Sequence, residues 1–193
     1  MRFGNLGANV LVNDLEAPAA DAVTQCLGGD DKAVANYDSV LEGQKIVDAA
    51  MNKWGRVDIL VNNAGIILDS SFAKMAQQQW DDVYKVHLEG TMRVTKASWG
   101  IMQEQELDAL SISRRRRCKL QHTANVMAPL AKSQMTEGLL EKKLNEKLTP
   151  DSVAAFVAHE SCDRSGNVYE VGGGWAAQTR WQQLHGVAFF FER

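Results

Sequence analysis

Apolar and polar residues follow two periods along this chain. The first clear run is residues 9–14, Asn-Val-Leu-Val-Asn-Asp. Its β-branched centre, placed between Gly7 and polar residues, predicts a short buried strand. Residues 16–27 predict a helix that stops at Gly28-Gly29, and residues 32–37 predict a second strand. Ser39, with Glu42 three positions on, has the form of a capping box. Behind it Ile46, Val47, Ala50, Met51 and Trp54 share one helix face, which Gly55 closes. Residues 57–61, Val-Asp-Ile-Leu-Val, predict a third strand and run into Asn62-Asn63-Ala64-Gly65. Strands and helices alternating over such short connections imply a parallel sheet with crossover helices.

A long helix is predicted over residues 77–102, with Trp80, Val83, Tyr84, His87, Leu88 and Met92 as its apolar stripe. Neither period is sustained from 104 to 121, a stretch that contains Arg114, Arg115, Arg116 and Arg117. The pattern recovers at Ala124, where residues 124–129 predict a strand and a turn at Pro129. Thr149-Pro150 opens a further helix with an N-cap and Pro in the first turn, and Val153, Phe156 and Val157 form its inner face. Residues 167–171 are a last strand, stopped by Gly172-Gly173-Gly174. There is no internal repeat and no linker, so residues 1–193 are expected to form a single domain.

Composition narrows the class. A chain of 193 residues, 45% hydrophobic and 23% charged, is a globular domain. A domain of this size buries about 70% of its unfolded surface. Twenty-one basic residues against 24 acidic ones give a net charge of −3, which excludes a nucleic-acid-coating protein. No apolar run approaches the length of a membrane span. Cys26, Cys118 and Cys162 form no C-x-x-C pair and no expected metal site, and they read as free thiols of a reducing compartment. The first residues lack a signal-peptide core, and the ending Phe-Glu-Arg is not a Ser-Lys-Leu address.

Two places carry candidate chemistry. Asp14 stands at the carboxyl end of the first strand, where parallel sheets bind ligands. A carboxylate there accepts hydrogen bonds from a ribose and repels a 2′-phosphate, which favours NAD over NADP; the same residue also reads as a helix-entry or loop carboxylate. Asn62-Asn63-Ala64-Gly65 follows a strand with small residues that admit a ligand close to the backbone, or forms a plain turn.

Residues 55–65, Gly-Arg-Val-Asp-Ile-Leu-Val-Asn-Asn-Ala-Gly, resemble the short-chain dehydrogenase/reductase family. Residues 35–40, 71–75, 86–90, 159–162 and 169–174 are similar to one branch of it, the (3R)-hydroxyacyl-CoA dehydrogenase units of peroxisomal β-oxidation, and residues 175–181 look most like the fungal form. The resemblance implies an α/β fold, a Rossmann-like doubly wound parallel sheet. It implies NAD as cofactor, a 3-hydroxyacyl-CoA substrate, a family-type homodimer and a peroxisomal location. Asp14 would bind the adenosine ribose, Asp38 and Ser39 would lie beside the adenine, and Asn63, Ala64 and Gly65 would line the cofactor cleft. Ala128-Pro129 matches a turn near the nicotinamide. His87, where many members have Asn, reads as a hydrogen-bonded, partly buried helix histidine or as a proton relay.

The family's pattern is not complete. Its Gly-rich turn, whose backbone N–H groups hold the pyrophosphate, has no counterpart here, because no strand precedes Gly4 and Gly7. Its Tyr-x-x-x-Lys pair and nearby Ser supply proton transfer and carbonyl polarisation. Tyr37, Tyr84 and Tyr169 are followed four residues on by Leu41, Leu88 and Gly173. The span between Trp99 and Ala124 is too short for a strand, a catalytic loop and a long helix. The four arginines within it read as a solvated loop, a phosphate or localisation patch, or a splice or gene-model scar. The expected fold is thus an incomplete Rossmann-like sheet without its first strand and its catalytic strand and helix. Buried backbone groups without partners cost about 1–3 kcal/mol each, so marginal folding is expected. The expected function is a catalytically incompetent relative of an NAD-dependent oxidoreductase, or a non-catalytic remnant that pairs with intact dehydrogenase subunits.

Overall fold

The computed structural model describes residues 1–29, 31–109, 124–133, 147–158, 165–180 and 182. The chain divides into two compact units, Met1–His122 and Thr123–Arg193. Arg114 to Arg117, Cys118 and Cys162 lie outside the described residues.

In the first unit a single turn of helix, α1 (Arg2–Asn5), leads into β1 (Val10–Asn13). Helix α2 (Ala17–Cys26) has Pro18 in its first turn, where a missing N–H is harmless. Gly28 and Gly29 reverse the chain with φ of 102° and 74°. Strand β2 (Ala33–Asn36) then pairs in parallel with β1, Val10 opposite Ala33 and Asn13 opposite Asn36. A 3-10 turn (Val40–Glu42) opens helix α3 (Gly43–Trp54). Gly55 ends α3 at φ 69°, its N–H donating to Met51 O at 2.8 Å. Helix α4 (Gln77–Tyr84), a π-helical stretch (Lys85–Gly90) and helix α5 (Thr91–Ala109) follow in sequence, so the predicted long helix extends past Met102.

The core of this unit lies between α3 and α5. Ile46, Val47 and Val94 form its centre, with Leu11, Val57, Leu60, Ala97 and Ile101 against them. Gly43 allows the two helices to touch: a Cβ there would lie 2.6 Å from Val94 N.

Several expectations are corrected. Residues 57–61 form no strand. Their sequence suits one, but a strand needs a ladder partner, and no strand flanks them among the described residues. Ile59 is consequently 61% exposed. Strand β1 is half-buried rather than buried, because among the described residues β2 alone pairs with it. The capping box does not form: Ser39 Oγ accepts from Leu41 N–H at 3.3 Å, while Glu42 turns to Lys45 at 2.5 Å. The stripe Trp80, Tyr84, Leu88 and Met92 is exposed. The buried side of α5 is instead the one facing α3, with Val94 and Ser98.

In the second unit β3 (Val126–Pro129) runs parallel to β4 (Val168–Gly172), which pairs antiparallel with β5 (Trp175–Thr179). Gly173 and Gly174, at φ 57° and 79°, make the tight turn between β4 and β5. The glycine triplet therefore turns a hairpin instead of ending the sheet, and β5 escapes the sequence pattern because Ala-Ala-Gln carries little strand signal. Helix α6 (Pro150–Val157) packs on β4, with the Phe156 and Tyr169 rings 5.3 Å apart. Thr149 precedes it without a side-chain cap bond, and Val153, Phe156 and Val157 are half-buried. Val171 and Leu148 are the buried apolar residues among those described in this unit.

Gly43→Ala is expected to lower stability by about 1–3 kcal/mol, because the backbone it meets cannot yield cheaply. Gly100→Ala on α5, where a Cβ meets nothing within 4 Å, is expected to gain roughly 0.5–1 kcal/mol from helix propensity. Urea unfolding of both variants measures the contrast.

Candidate functional site

Parallel strands present ligand-binding groups at their carboxyl ends. Here β1 ends in Asn13-Asp14, and β2 ends in Asn36-Tyr37-Asp38-Ser39. The two asparagines are register partners. Asn13 Nδ2 donates to Asn36 Oδ1 at 2.8 Å and to Asp38 O at 2.8 Å. Asn36 Nδ2 donates to Asp38 Oδ2 at 2.8 Å, and Asp38 N–H returns a bond to Asn36 Oδ1 at 3.1 Å. Asn36 is only 8% exposed, so its amide requires these partners. The cluster ties the strand ends together and fixes the Asp38 carboxylate. Sequence reasoning missed both asparagines. Their one signal is that each closes a short apolar strand run just before an acidic residue or one position removed from it.

Asp14 is exposed, and its N–H donates to Asn36 O at 3.1 Å. Its Oδ1 accepts from Glu16 N–H at 2.9 Å, the loop carboxylate arrangement, and the other oxygen makes no hydrogen bond among the described residues. Lys45 Nζ stands 4.0 Å from Asp38 Oδ1 and is held above its ordinary pKa by the hydrogen bond to Glu42. Tyr37 OH donates to Asp21 Oδ1 at 2.5 Å, and this bond raises the phenol above its ordinary pKa.

A second group gathers around His87. Its Nε2 lies 3.0 Å from Ile66 N and 2.8 Å from Ile66 O, and the tautomer decides which bond is made. Gly65 makes room for the ring: a Cβ there would sit 2.7 Å from His87 Cε1. His87 is exposed rather than partly buried, with the Gly65-Ile66 backbone against its ring. Asn62 Nδ2 donates to Thr95 Oγ1 at 3.0 Å, while Asn63 and Ala64 are exposed. Residues 62–66 are thus attached to the π-helical stretch and to α5, and no hydrogen bond among the described residues joins them to the Asp14–Asp38 cluster. Ala128-Pro129 ends β3 in the second unit. The start of the segment is held by a residue the sequence did not single out. The Gln105 amide accepts from Val57 N–H and donates to Val57 O, both at 2.8 Å, as a neighbouring strand would.

Asp14 and Asp38 offer carboxylate acceptors at adjacent strand ends, of the kind a sugar hydroxyl can donate to. A backbone cradle for phosphate is not formed: among the described residues no Gly-rich turn joins a strand to a helix N-terminus. The chain has no Tyr-x-x-x-Lys pair to move a proton. No cluster of metal-ligating side chains occurs among the described residues, and none of their helices is long and apolar enough to cross a membrane.

Asn36→Ala removes one of the two 2.8 Å acceptors of the Asn13 amide and both side-chain bonds between Asn36 and Asp38, and is expected to cost about 1–3 kcal/mol, read by denaturant unfolding. Asp21→Asn removes the carboxylate that stabilises the Tyr37 proton. The Tyr37 phenol is then expected to ionise at lower pH, which ultraviolet difference titration against Tyr37→Phe isolates.

Residues 1–107 match the family model "short chain dehydrogenase". The chain is 36% identical to the peroxisomal multifunctional enzyme type 2 of Mus musculus over 234 aligned positions, covering 97% of this chain and 31% of that protein. It is 34% identical to the peroxisomal hydratase-dehydrogenase-epimerase of Neurospora crassa, covering 96% of this chain and 26% of that one. The structure of the full-length peroxisomal multifunctional enzyme type 2 from Drosophila melanogaster superposes with a TM-score of 0.66 at 27% identity, over 92% of this chain and 36% of that one. The chain therefore spans only about a quarter to a third of the length of these relatives. The alignment to the mouse protein, at 234 positions, is longer than the 193 residues of this chain, so that relative holds residues inside the matched span with no counterpart here. The strand–helix alternation, the carboxylates at the strand ends and these matches agree: the chain belongs to the short-chain dehydrogenase family.

Proposed function

We propose that this chain is a nucleotide-binding relative of the peroxisomal 3-hydroxyacyl-CoA dehydrogenases that keeps the adenosine side of an NAD site and does not carry out the oxidoreduction by itself. The observation that carries this reading is the absence of any Tyr four residues before a Lys in the full sequence. Hydride transfer to or from an alcohol carbon needs a partner for the hydroxyl proton, and the family meets that need with the Tyr-x-x-x-Lys pair. Asp14 would accept from the ribose hydroxyls, Asp38 and Ser39 would flank the adenine, and Asn63, Ala64 and Gly65 would line the remainder of the cleft. His87, bonded to Ile66, would position that loop. NAD is favoured over NADP because Asp14 repels a 2′-phosphate. Acyl-CoA chemistry, a peroxisomal setting and residues 1–193 as one partial dehydrogenase domain follow from the same kinship.

A second reading, a non-catalytic subunit that pairs with intact dehydrogenase chains, is favoured by the exposed Leu88 of the π-helical stretch and Met92 and Trp99 of α5, an apolar surface of the kind that marks a protein interface.

The purified chain is expected to form no NADH from NAD and a (3R)-hydroxyacyl-CoA. NAD is expected to bind at about millimolar Kd or weaker, because the pyrophosphate lacks its backbone cradle. Absorbance at the NADH band and a fluorescence titration read the two separately. Turnover at ordinary enzyme rates overturns the non-catalytic reading, and micromolar binding overturns the half-site.

A further inference from the structure

We propose, building on the placement of adenine beside Asp38, that Asn36 is a positioning residue. It holds the Asp38 carboxylate so that one oxygen stays free to accept from the amino group of a 6-aminopurine, and it thereby makes the strand-end site discriminate against 6-oxopurines. Asn36 itself does not touch the nucleotide.

The Asn36 amide has one orientation. Asp38 N–H can only donate, and it donates to Asn36 Oδ1 at 3.1 Å. Asn13 Nδ2 donates to that same oxygen at 2.8 Å. The other end of the amide is therefore the donor, and Nδ2 bonds Asp38 Oδ2 at 2.8 Å. Asn36 is 8% exposed, so water competes little for these groups. The main chain of Asp38 is held as well, since its carbonyl oxygen accepts from Asn13 Nδ2 at 2.8 Å.

Asp38 Oδ1 is left over. Lys45 Nζ stands 4.0 Å from it, outside hydrogen-bond reach, and is engaged with Glu42 at 2.5 Å. The Asp38 side chain stays 32% exposed, so a ligand can reach this oxygen. A carboxylate only accepts. A 6-amino group donates to it, whereas a 6-oxo group brings a second acceptor and is repelled. A carboxylate free to rotate turns toward water and loses that distinction; the bond from Asn36 prevents the rotation. Asn13 and Asn36 have separate tasks. Asn13 bonds no side-chain atom of Asp38 and ties the strand ends, while Asn36 bonds the carboxylate.

The test is a nuclear magnetic resonance titration of the full chain with AMP and with IMP, followed at the Asp38 and Ser39 amides. The unaltered chain is expected to bind AMP about tenfold more tightly than IMP. Asn36→Asp keeps an acceptor for Asn13 and for the Asp38 N–H but sets a second carboxylate against Asp38, and the preference is expected to fall to about twofold or less. Asn36→Ala removes the donor without adding a charge; it is expected to lose the preference likewise and decides the matter if Asn36→Asp does not fold. Asn13→Ala is expected to lower stability to urea and retain the preference. Equal loss in Asn13→Ala makes Asn36 a structural tie and overturns the positioning role. Asp38→Asn separates the two levels. If it loses the preference while both Asn36 variants keep it, the positioning role alone is overturned. If the unaltered chain binds AMP and IMP alike, or neither, the placement of adenine at Asp38 falls and the role of Asn36 falls with it.

Discussion

The hydrogen-bonding edge of a strand is the constraint on which the rest of this structure depends. An extended backbone carries donors and acceptors on both sides, and each requires a partner or water. Where a neighbour exists, as for β1 and β2, four residue pairs lock in register and the strand ends come together. Where no neighbouring strand occurs among the described residues, residues 57–61 remain irregular despite a sequence rich in Val, Ile and Leu. The Gln105 side chain answers one residue of that edge, and His87 answers another at Ile66. Both come from the long helical run after the segment, so side chains supply part of what a ladder supplies elsewhere.

Stability in the first unit therefore comes from helix packing more than from a sheet. The contact between α3 and α5 buries the three central core residues, and Gly43 sets how closely the helices approach. The faces of α4 and α5 turned away from α3 carry large apolar side chains in contact with solvent. Exposed apolar area of this extent adds nothing to folding. It also explains why an apolar stripe on a helix is an ambiguous sign: the stripe marks a surface suited to burial, and a second body must arrive to bury it.

The same logic divides the candidate site. The cluster at the two adjacent strand ends depends on local bonds, and Asn13, Asn36 and Asp38 complete those bonds among themselves. The loop at residues 62–66 depends on α5 and the π-helical stretch. A glycine turn for the pyrophosphate and a Tyr–Lys pair for proton transfer both depend on elements for which this sequence holds no matching motif.

The amino-acid sequence by itself determined the helices α2 and α3, the strands β1, β2 and β4, the glycine that ends α3 and the family. These rest on periodicity, turn chemistry and short motifs that act over a few residues. The asparagine cluster was not legible, because its bonds join residues 23 positions apart that only strand pairing brings together. Tertiary structure also decided that residues 57–61 stay out of a sheet, that Glu42 pairs with Lys45 instead of capping a helix, that Gly173-Gly174 turns a hairpin, and that the outer stripe of α4 and α5 faces solvent. The physical reason is common to all of them. A local pattern specifies which groups seek a partner, and only the folded chain decides whether a partner is there.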